Sequence, residues 1–425
     1  PAYFLLLTLL WFGAASFFDC YDLPRTADGS QSAWSAARAA LLAGLVYIAI
    51  PYYTPHFPAS RLATYLFLGL TTASVAAWRA LYAWLFVQPM FQRRVLIVGA
   101  GESGTELGQV LAATPEHGNP YAGSGYLVVG FVDDDPAKVG TVVAGAPVLG
   151  TRYDLLRLVA EKEVDKVVLA ITHTTQIHPH LFQALLDCRQ QGARLESMTS
   201  LYERLTGQVP VEHAARNLHV VLPPAEGAAL RLFHGLKRMA DLLAGVLGCL
   251  VLALVVPWVA LANRLWSPGP LFYRQARVGQ AGRTFDLVKF RSMVVEAETD
   301  CGAVWARQDD DRVTAPGRWL RKTRLDELPQ VWNILRGEMS LVGPRPERPE
   351  FVAQLLEQVP FYQARHAVRP GITGWAQVRY PYGSSVEDAL VKLQYDLYYI
   401  KHQSLYLELS ILAKTAAVML RFEGR

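Results

Sequence analysis

Long apolar runs alternate with polar stretches along this chain and divide it into regions of different character. Three such runs fall early in the sequence, at Tyr3–Phe18, Ala36–Tyr53 and Ala63–Val87. A membrane-spanning helix needs about 20 apolar residues, so the second and third runs suit a span and the first is short. The pattern predicts a transmembrane region at residues 1–90. Because the chain starts with Pro1 and not Met, we expect that N-terminal residues are missing.

Basic residues flank these runs unevenly and predict their orientation. Arg25 and Arg38 follow the first run, and Arg93 and Arg94 follow the third, whereas the connection before Arg61 carries no Lys or Arg. Short cytoplasmic connections are enriched in Lys and Arg. The pattern therefore places the chain that follows the third run on the cytoplasmic side of the membrane.

Residues 91–200 change to short buried strands separated by helices, which indicates a doubly wound α/β domain of the Rossmann-like kind. Three glycines in the spacing G-x-G-x-x-G follow the predicted strand Val95–Val98: Gly99, Gly101 and Gly104. This turn and the helix behind it suit a phosphate group. Asp133 ends the next strand and could meet a ribose. We expect a nucleotide ligand, either NAD or a UDP-sugar, or a domain that has lost its ligand.

The longest apolar run, residues 237–264, follows a Pro-containing linker at residues 201–235. Lys237 and Arg238 precede the run and another Arg follows it, which favours both ends on the cytoplasmic side. Pro257 lies inside the run, where proline removes a helix hydrogen bond and kinks the chain. We predict a re-entrant helix–break–helix, with a simple transmembrane span as the alternative.

A pair of adjacent acids, Asp326 and Glu327, lies in the polar region that follows. Five basic residues surround the pair in sequence: Arg321, Lys322, Arg324, Arg336 and Arg345. Cations bind an anionic substrate, and carboxylates either hold a metal or attack phosphorus, so the segment suits phosphate chemistry. A cluster of surface salt bridges is the alternative interpretation.

Composition narrows the class of protein further. The chain has 425 residues, of which 52% are hydrophobic and 18% are charged, too apolar for an ordinary soluble protein and too charged for a pure transporter. The net charge of +4 does not indicate nucleic-acid binding. The four cysteines lack metal-type spacing and predict no disulfide framework.

The segment from Lys237 to Lys401 resembles the bacterial sugar transferase family, the monotopic phosphoglycosyl transferases. The matching motifs, in order, are KRMAD, SPGPLFYRQARVG, GRTFDLVKFRSM, LRKTRLDELPQVWNILRGEMSLVGPRPE, RPGITGWAQV and YDLYYIKHQSL. Membrane segments and a Rossmann-like domain ahead of them resemble the large subgroup, which usually has four spans where three are visible here. The resemblance implies an α+β catalytic domain at residues 236–425.

The resemblance also implies an activity and the residues that carry it. Such enzymes transfer hexose-1-phosphate from UDP-glucose or UDP-galactose to undecaprenyl phosphate, release UMP and start exopolysaccharide, O-antigen or capsule synthesis. Asp326 would be the nucleophile and Glu327 the ligand of Mg²⁺, with Lys289 and Arg321 as further catalytic groups. The candidate substrate-binding residues are Arg291, Arg345, Arg369, Asp396 and Pro257.

The expected partners are therefore a UDP-hexose, undecaprenyl phosphate, the lipid bilayer and a second copy of the chain. Two other classes remain open. One is an NAD-dependent enzyme that modifies nucleotide sugars, although no Lys has a Tyr four residues before it, as many such enzymes require. The other is a membrane scaffold regulated by nucleotide binding.

Overall fold

The chain forms two compact units, Pro1–Ala215 and Arg216–Arg425. The computed structural model describes residues 2–21, 29–50, 61–86, 93–112, 125–171, 177–213, 227–295, 312–380, 383 and 385–420. The division between the units falls inside the predicted linker.

Three helices open the first unit: α1 (Ala2–Phe17), α2 (Gly29–Ala49) and α3 (Arg61–Phe86). By length and composition, α2 and α3 can each cross a membrane, whereas α1 is shorter. The predicted apolar runs are thus confirmed as helices, with one correction. Because α2 begins before the apolar run, Arg38 lies within the helix, 5.7 Å from the ring of Trp34, and not in the preceding connection. Arg25 lies outside the described residues.

The helix bundle packs through small side chains and one cation. Ala14 and Ala15 of α1 are buried with Ala39 and Ala43 of α2. Arg79 of α3 donates its Nη2 to the carbonyl of Cys20, 3.0 Å away, in the turn that follows α1. This cation inside an apolar helix is therefore satisfied by a backbone carbonyl of that turn.

A six-stranded sheet forms the rest of the first unit, in the order β3-β4-β2-β1-β5-β6. All neighbours pair in parallel except β3 and β4. The strands are β1 (Arg93–Val98), β2 (Tyr126–Val132), β3 (Val142–Val143), β4 (Ala146–Gly150), β5 (Lys166–Leu169) and β6 (Arg194–Ser197). The helices are α4 (Glu102–Ala112), α5 (Leu155–Glu161), α6 (Pro179–Gln190) and α7 (Met198–Thr206).

Residues of β1 alternate between the two faces of this sheet and build a core on each side. Val95 and Ile97 pack with Leu107 of α4 on one face, while Leu96 and Val98 pack with Leu155 of α5 on the other. Both faces of a parallel sheet are covered in this way. The predicted α/β domain is confirmed.

The second unit begins with the long helix α8 (Ala228–Trp266), which is long and apolar enough to cross a membrane. It takes residues from the predicted linker, because good helix formers follow the N-cap Gly227 directly. The helix continues through Pro257, so the predicted break into two helices is not seen within it. Val259 of α8 packs with Phe290 and Leu320 beyond this proline, which holds both halves of the helix on the same unit.

Short elements complete the second unit around α8. The strands form two pairs, antiparallel β7 (Phe272–Val278) with β8 (Thr284–Phe290), and parallel β9 (Ser340–Val342) with β10 (Gly371–Thr373). The helices are α9 (Ala315–Lys322), α10 (Val331–Arg336), α11 (Pro349–Gln358), α12 (Trp375–Arg379), α13 (Val386–Lys401) and α14 (Leu405–Leu420).

Candidate active site

The acid pair lies in a tight 3₁₀ turn, Leu325–Gln330, between α9 and α10. Arg324 enters this turn in the left-handed region, with a φ of 55°. A non-glycine residue held there costs about 1 to 3 kcal/mol and persists only where the surroundings fix it. The strained entry and the buried Pro329 therefore present Asp326 and Glu327 in one defined orientation.

Asn333 fixes this turn to the neighbouring strand β8. Its Nδ2 donates to the carbonyl of Asp286 at 2.8 Å and to Glu338 Oε2 at 2.7 Å, and its Oδ1 accepts from Val288 N at 3.2 Å. Asn333 is only 1% exposed. The same strand carries Lys289, so Asn333 sets the register between the acids and that cation. The sequence interpretation missed this residue, although a polar amide among the apolar positions of α10 was a signal.

Glu327 is held as a carboxylate by an ion pair. Arg345 Nη2 donates to Glu327 Oε1 at 2.7 Å, and the glutamate side chain is 15% exposed. Burial raises the pKa of Glu327, but Arg345, with the further charges of Arg324 and Lys289, outweighs burial and leaves this pKa below its ordinary value. Arg345, predicted to bind substrate, thus also forms an ion pair with Glu327.

Asp326 is partly exposed and differs from its neighbour in its pKa. Burial and the adjacent charge of Glu327 raise the pKa of Asp326 to about 6, against the attraction of Lys289 and of two arginines. The carboxylate is therefore mostly ionised at pH 7, yet poorly stabilised. An accessible, weakly stabilised carboxylate is suited to nucleophilic attack.

Lys289 faces the acids from the end of β8, with its ammonium 5.3 Å from the ring of Tyr273. Burial and the positive charge of Arg277 lower the pKa of Lys289 to about 8, although Asp326 acts in the opposite direction. Arg321, on the last turn of α9, donates its Nε to Ser292 Oγ at 3.0 Å. The structure thus brings together Asp326, Glu327, Lys289, Arg321 and Arg345.

Three other predicted substrate-binding residues lie in the second unit. Arg291 donates to Asn263 Oδ1 at 2.6 Å and to the carbonyl of Ser267, so it caps the C-terminal end of α8. Its contact with substrate stays a prediction. Pro257 is exposed on α8, and Arg369 is partly exposed before β10.

Asp396 is 2% exposed and pairs with Arg365, whose Nη2 lies 2.8 Å from Asp396 Oδ2. Burial raises the pKa of Asp396 to about 6, against the attraction of Arg365. The same guanidinium nitrogen donates to the carbonyl of Arg345 at 3.0 Å. Through Arg365, Asp396 is therefore linked to the backbone of Arg345, and its contact with substrate stays a prediction.

The predicted nucleotide turn of the first unit has the geometry that its glycines suggest. Gly99 has a φ of 108°, and a Cβ on Gly104 would lie 2.0 Å from the carbonyl of Gly99. Gly101 faces open space. Asp133 also reaches this turn, where its Oδ2 accepts from Ala100 N at 2.7 Å and lies 3.2 Å from Lys138 Nζ. The carboxylate is thus engaged by the protein at the place where a ribose contact was predicted.

The acid pair fits one mode of metal binding. Within the described ranges, no group of three or more His, Cys, Asp or Glu side chains could enclose a metal ion. Mg²⁺ commonly takes one or two carboxylates and completes its shell with water and substrate phosphates. Glu327 and Asp326 offer such a donor set of hard oxygens, with Glu327 held as a carboxylate.

Each unit matches a known protein family. Residues 232–422 match the family described as bacterial sugar transferase. Residues 16–187 match the family described as CoA-binding domain. The first match contains the acid pair and every cation described around it, and the second contains the glycine turn.

Curated relatives extend these matches over most of the chain. An Aeromonas hydrophila UDP-N-acetylgalactosamine-undecaprenyl-phosphate N-acetylgalactosaminephosphotransferase is 43% identical over 51% of this chain and 50% of the relative. A Komagataeibacter xylinus undecaprenyl-phosphate glucose phosphotransferase is 35% identical over 76% of this chain and 58% of the relative. A Xanthomonas campestris pv. campestris UDP-glucose:undecaprenyl-phosphate glucose-1-phosphate transferase is 31% identical over 83% of this chain and 72% of the relative. The chain thus spans half to about three quarters of these relatives.

Proposed function

Because this chain belongs to the bacterial sugar transferase family, we propose that it transfers a sugar-1-phosphate from a UDP-sugar to undecaprenyl phosphate and releases UMP. The observation that carries the proposal is Asp326, a partly exposed carboxylate with a pKa raised to about 6 inside a ring of cations. Its neighbour Glu327 is locked to Arg345 at 2.7 Å, which leaves Asp326 as the acid able to react.

We propose that the reaction proceeds in two displacements at phosphorus. An Asp326 carboxylate oxygen attacks the β-phosphorus of the UDP-sugar, the bond from that phosphorus to the bridging oxygen breaks, and UMP departs with the electron pair. A phosphate oxygen of undecaprenyl phosphate then attacks the same phosphorus and releases Asp326. Neither nucleophile needs deprotonation at pH 7, so no general base is required.

The cations around Asp326 act on the charge that develops in both displacements. Two anions approach each other in each step, which is unfavourable unless fixed positive charge surrounds the phosphoryl oxygens. Lys289 and Arg321 are the candidates for this contact, while Arg345 divides its charge between substrate and Glu327. Glu327 would hold Mg²⁺, which when bound would neutralise phosphate charge.

The sugar itself stays open within this proposal. The resemblance implies glucose or galactose, and two relatives carry glucose in their names. The Aeromonas hydrophila relative carries N-acetylgalactosamine instead. UDP-glucose, UDP-galactose and UDP-N-acetylgalactosamine are therefore the donors to compare.

The place of action follows from the membrane helices. Among the residues that the structure describes, three helices are long and apolar enough to cross a membrane, and α8 belongs to the same unit as Asp326. We propose that the unit works at the cytoplasmic face of the inner membrane, where a UDP-sugar and a lipid phosphate meet. The glycine turn of the first unit would bind a nucleotide with a regulatory role, and the assembly would be a homodimer.

Product analysis tests the proposal. Purified protein in nanodiscs, given each UDP-sugar and undecaprenyl phosphate, should release UMP and form the lipid-linked sugar phosphate. Release of UDP would overturn it, because UDP reports ordinary glycosyl transfer. Without lipid acceptor, labelled UMP should exchange into UDP-sugar, and Asp326→Asn should abolish that exchange. Asp286→Asn, an exposed acid on β8, is the matched control.

A further inference from the structure

A single turn of α8, Lys237–Asp241, carries three charged side chains. These side chains bond to β9, which precedes Arg345, or to α10, which follows the acid pair. Asp241 is 2% exposed. Its Oδ1 accepts from Ser340 Oγ at 3.0 Å and from Leu341 N at 2.9 Å. A buried carboxylate is costly unless it is hydrogen-bonded. Asp241 therefore ties α8 tightly to strand β9.

Lys237, one helical turn before Asp241, reaches the same strand. Its Nζ donates to the carbonyl of Val342 at 2.9 Å and to Glu408 Oε2 at 2.6 Å. The hydroxyl of Tyr399 donates to Glu408 Oε1 at 2.6 Å and holds that acid in place. Since residues four apart share a helix face, Lys237 and Asp241 act together on β9.

These two side chains occupy the edge of β9 that a third strand would otherwise take. The opposite edge of β9 pairs with β10, at Ser340 with Gly371 and at Val342 with Thr373. Asp241 of α8 accepts from the amide of Leu341, and the carbonyl of Val342 accepts from Lys237 of α8 and, at 3.1 Å, from the hydroxyl of Tyr399 on α13. The helix thus sets the position of β9 as firmly as sheet pairing would.

Arg238 holds the other segment of the site. Its two terminal nitrogens donate to the carbonyls of Ile334 and Leu335, at 2.8 and 3.0 Å. These carbonyls lie in the last turn of α10, and α10 directly follows the turn that carries Asp326 and Glu327. One turn of α8 is therefore hydrogen-bonded both to α10, which follows the acid pair, and to β9, which precedes Arg345.

The connection from β9 to Arg345 is short and stiff. A Cβ on Gly343 would lie 2.4 Å from the carbonyl of Arg369, so Gly343 is confined by the backbone beside it. Pro344 follows, with its fixed φ, and Arg345 then reaches Glu327. A displacement of β9 would consequently be transmitted to the Arg345–Glu327 ion pair.

We infer that Asp241 and Arg238 are positioning residues of the transfer site, which keep Arg345 registered against Glu327 and Asp326. The inference rests on the proposed function. It makes a turn of the apolar helix part of the machinery that sets the catalytic geometry. Neither residue is required to touch the substrate.

A double-mutant cycle tests the inference on the full chain in nanodiscs. Asp241→Ala should lower kcat for UMP release by about tenfold or more and leave the KM for UDP-sugar within about twofold. In an Arg345→Ala background, Asp241→Ala should lower kcat by less than about threefold, because its effect passes through Arg345. Asp241→Asn, which keeps an acceptor for Leu341 N, should restore most of kcat.

Two further variants keep the test decisive. Ser340→Ala removes one bond to Asp241 at small structural cost and should reproduce the kcat loss in part if Asp241→Ala does not fold. Leu243→Ala changes a 66% exposed residue of the same helix and should have no effect. The inference would be overturned if Asp241→Ala lowered kcat equally with and without Arg345, or if Leu243→Ala lowered kcat by as much as Asp241→Ala.

Amide hydrogen exchange separates this inference from the proposed function. Peptides covering Leu325–Gln330 and the Gly343–Arg345 connection should exchange faster in Asp241→Ala than in wild type, and not in Leu243→Ala. If wild-type protein releases no UMP from any donor, the proposed function fails. Amide hydrogen exchange still tests whether Asp241 is coupled to the acid turn and to Arg345. Unchanged exchange in both peptides would sink the coupling even if UMP is released.

Discussion

At the scale of single residues, the site is governed by two groups whose pKa values are displaced toward each other. The pKa of Asp326 is raised to about 6 by burial and by Glu327, and that of Lys289 is lowered to about 8 by burial and by Arg277. The two groups are charged at the same time only between these two pKa values. The state with a carboxylate nucleophile and a neighbouring ammonium is therefore confined to near-neutral pH.

The pH dependence of UMP exchange into UDP-sugar should follow this window. The rate should rise as pH increases through about 6, where Asp326 loses its proton, and fall as pH increases through about 8, where Lys289 loses its own. Initial rates at constant ionic strength between pH 5 and 9.5 measure both limbs. Lys289→Arg should remove the alkaline limb, since arginine keeps its proton. A rate that is constant from pH 5 to 7 would contradict the assignment of Asp326.

The raised pKa of Asp326 also predicts an effect on stability. Its pKa is about 6 in the folded chain and about 3.8 when unperturbed, so ionisation above about pH 4 opposes folding. Asp326→Asn should therefore stabilise the protein on the order of 1 kcal/mol at pH 7.5, after allowance for partial exposure. Thermal unfolding in detergent should show this gain shrinking as pH falls toward 4. Asp286→Asn should show no comparable gain.

At the scale of elements, the acid turn is organised by its attachment to β8 through Asn333. Two hydrogen bonds join this buried side-chain amide to the backbone of β8, in place of the ladder bonds that a continuous element would supply, and a third holds Glu338. The 3₁₀ turn and α10 are too short to hold their own positions. Their precision comes from β8 on one side and α8 on the other.

Asn333→Ala should accordingly destabilise the second unit by about 2 to 4 kcal/mol, because it leaves the amide of Val288 and the carbonyl of Asp286 without partners. Chemical denaturation followed by tryptophan fluorescence measures this loss. Trp332→Phe, at the exposed neighbouring position, is the control for α10 and should cost less than about 1 kcal/mol. Equal losses for both variants would argue against a clamp at Asn333.

Elements with a local signal could be predicted from the sequence, and contacts between distant residues could not. Apolar runs, the glycine turn and the acid pair are all encoded within short segments. The hydrogen bond from Arg291 to the end of α8 could not be predicted, because its partner Asn263 lies 28 residues away and leaves no mark in the motif. Asp396 and Arg365 are 31 residues apart, and Asn333 and Asp286 are 47 apart. A cation beside an acid pair has the same sequence signature whether it binds phosphate or a helix end.

At the scale of the whole molecule, the chain combines two units that match different families over separate residues. Each unit has its own buried core. The acid pair and every residue that we assign to it lie in Arg216–Arg425. Units with independent cores can in principle fold alone.

Residues 216–425, expressed without the first unit and reconstituted in nanodiscs, should therefore retain UMP exchange within about tenfold of the full chain. The same fragment with Asp326→Asn provides the inactive control. A monodisperse, cooperatively unfolding fragment without exchange activity would show instead that the first unit contributes to catalysis. Addition of nucleotide to the full chain then tests whether the glycine turn changes the rate.

The grip of α8 on β9 has a consequence for solubility. A strand with an unpaired edge is a template for pairing with other chains, and native proteins cover or otherwise protect such edges. Here the bare edge would be that of Ser340–Val342, which Lys237 and Asp241 cover. Trimming the apolar helix to make a water-soluble catalytic fragment would uncover it. Such a fragment should stay free of aggregates only if the cut leaves the chain through Asp241 in place.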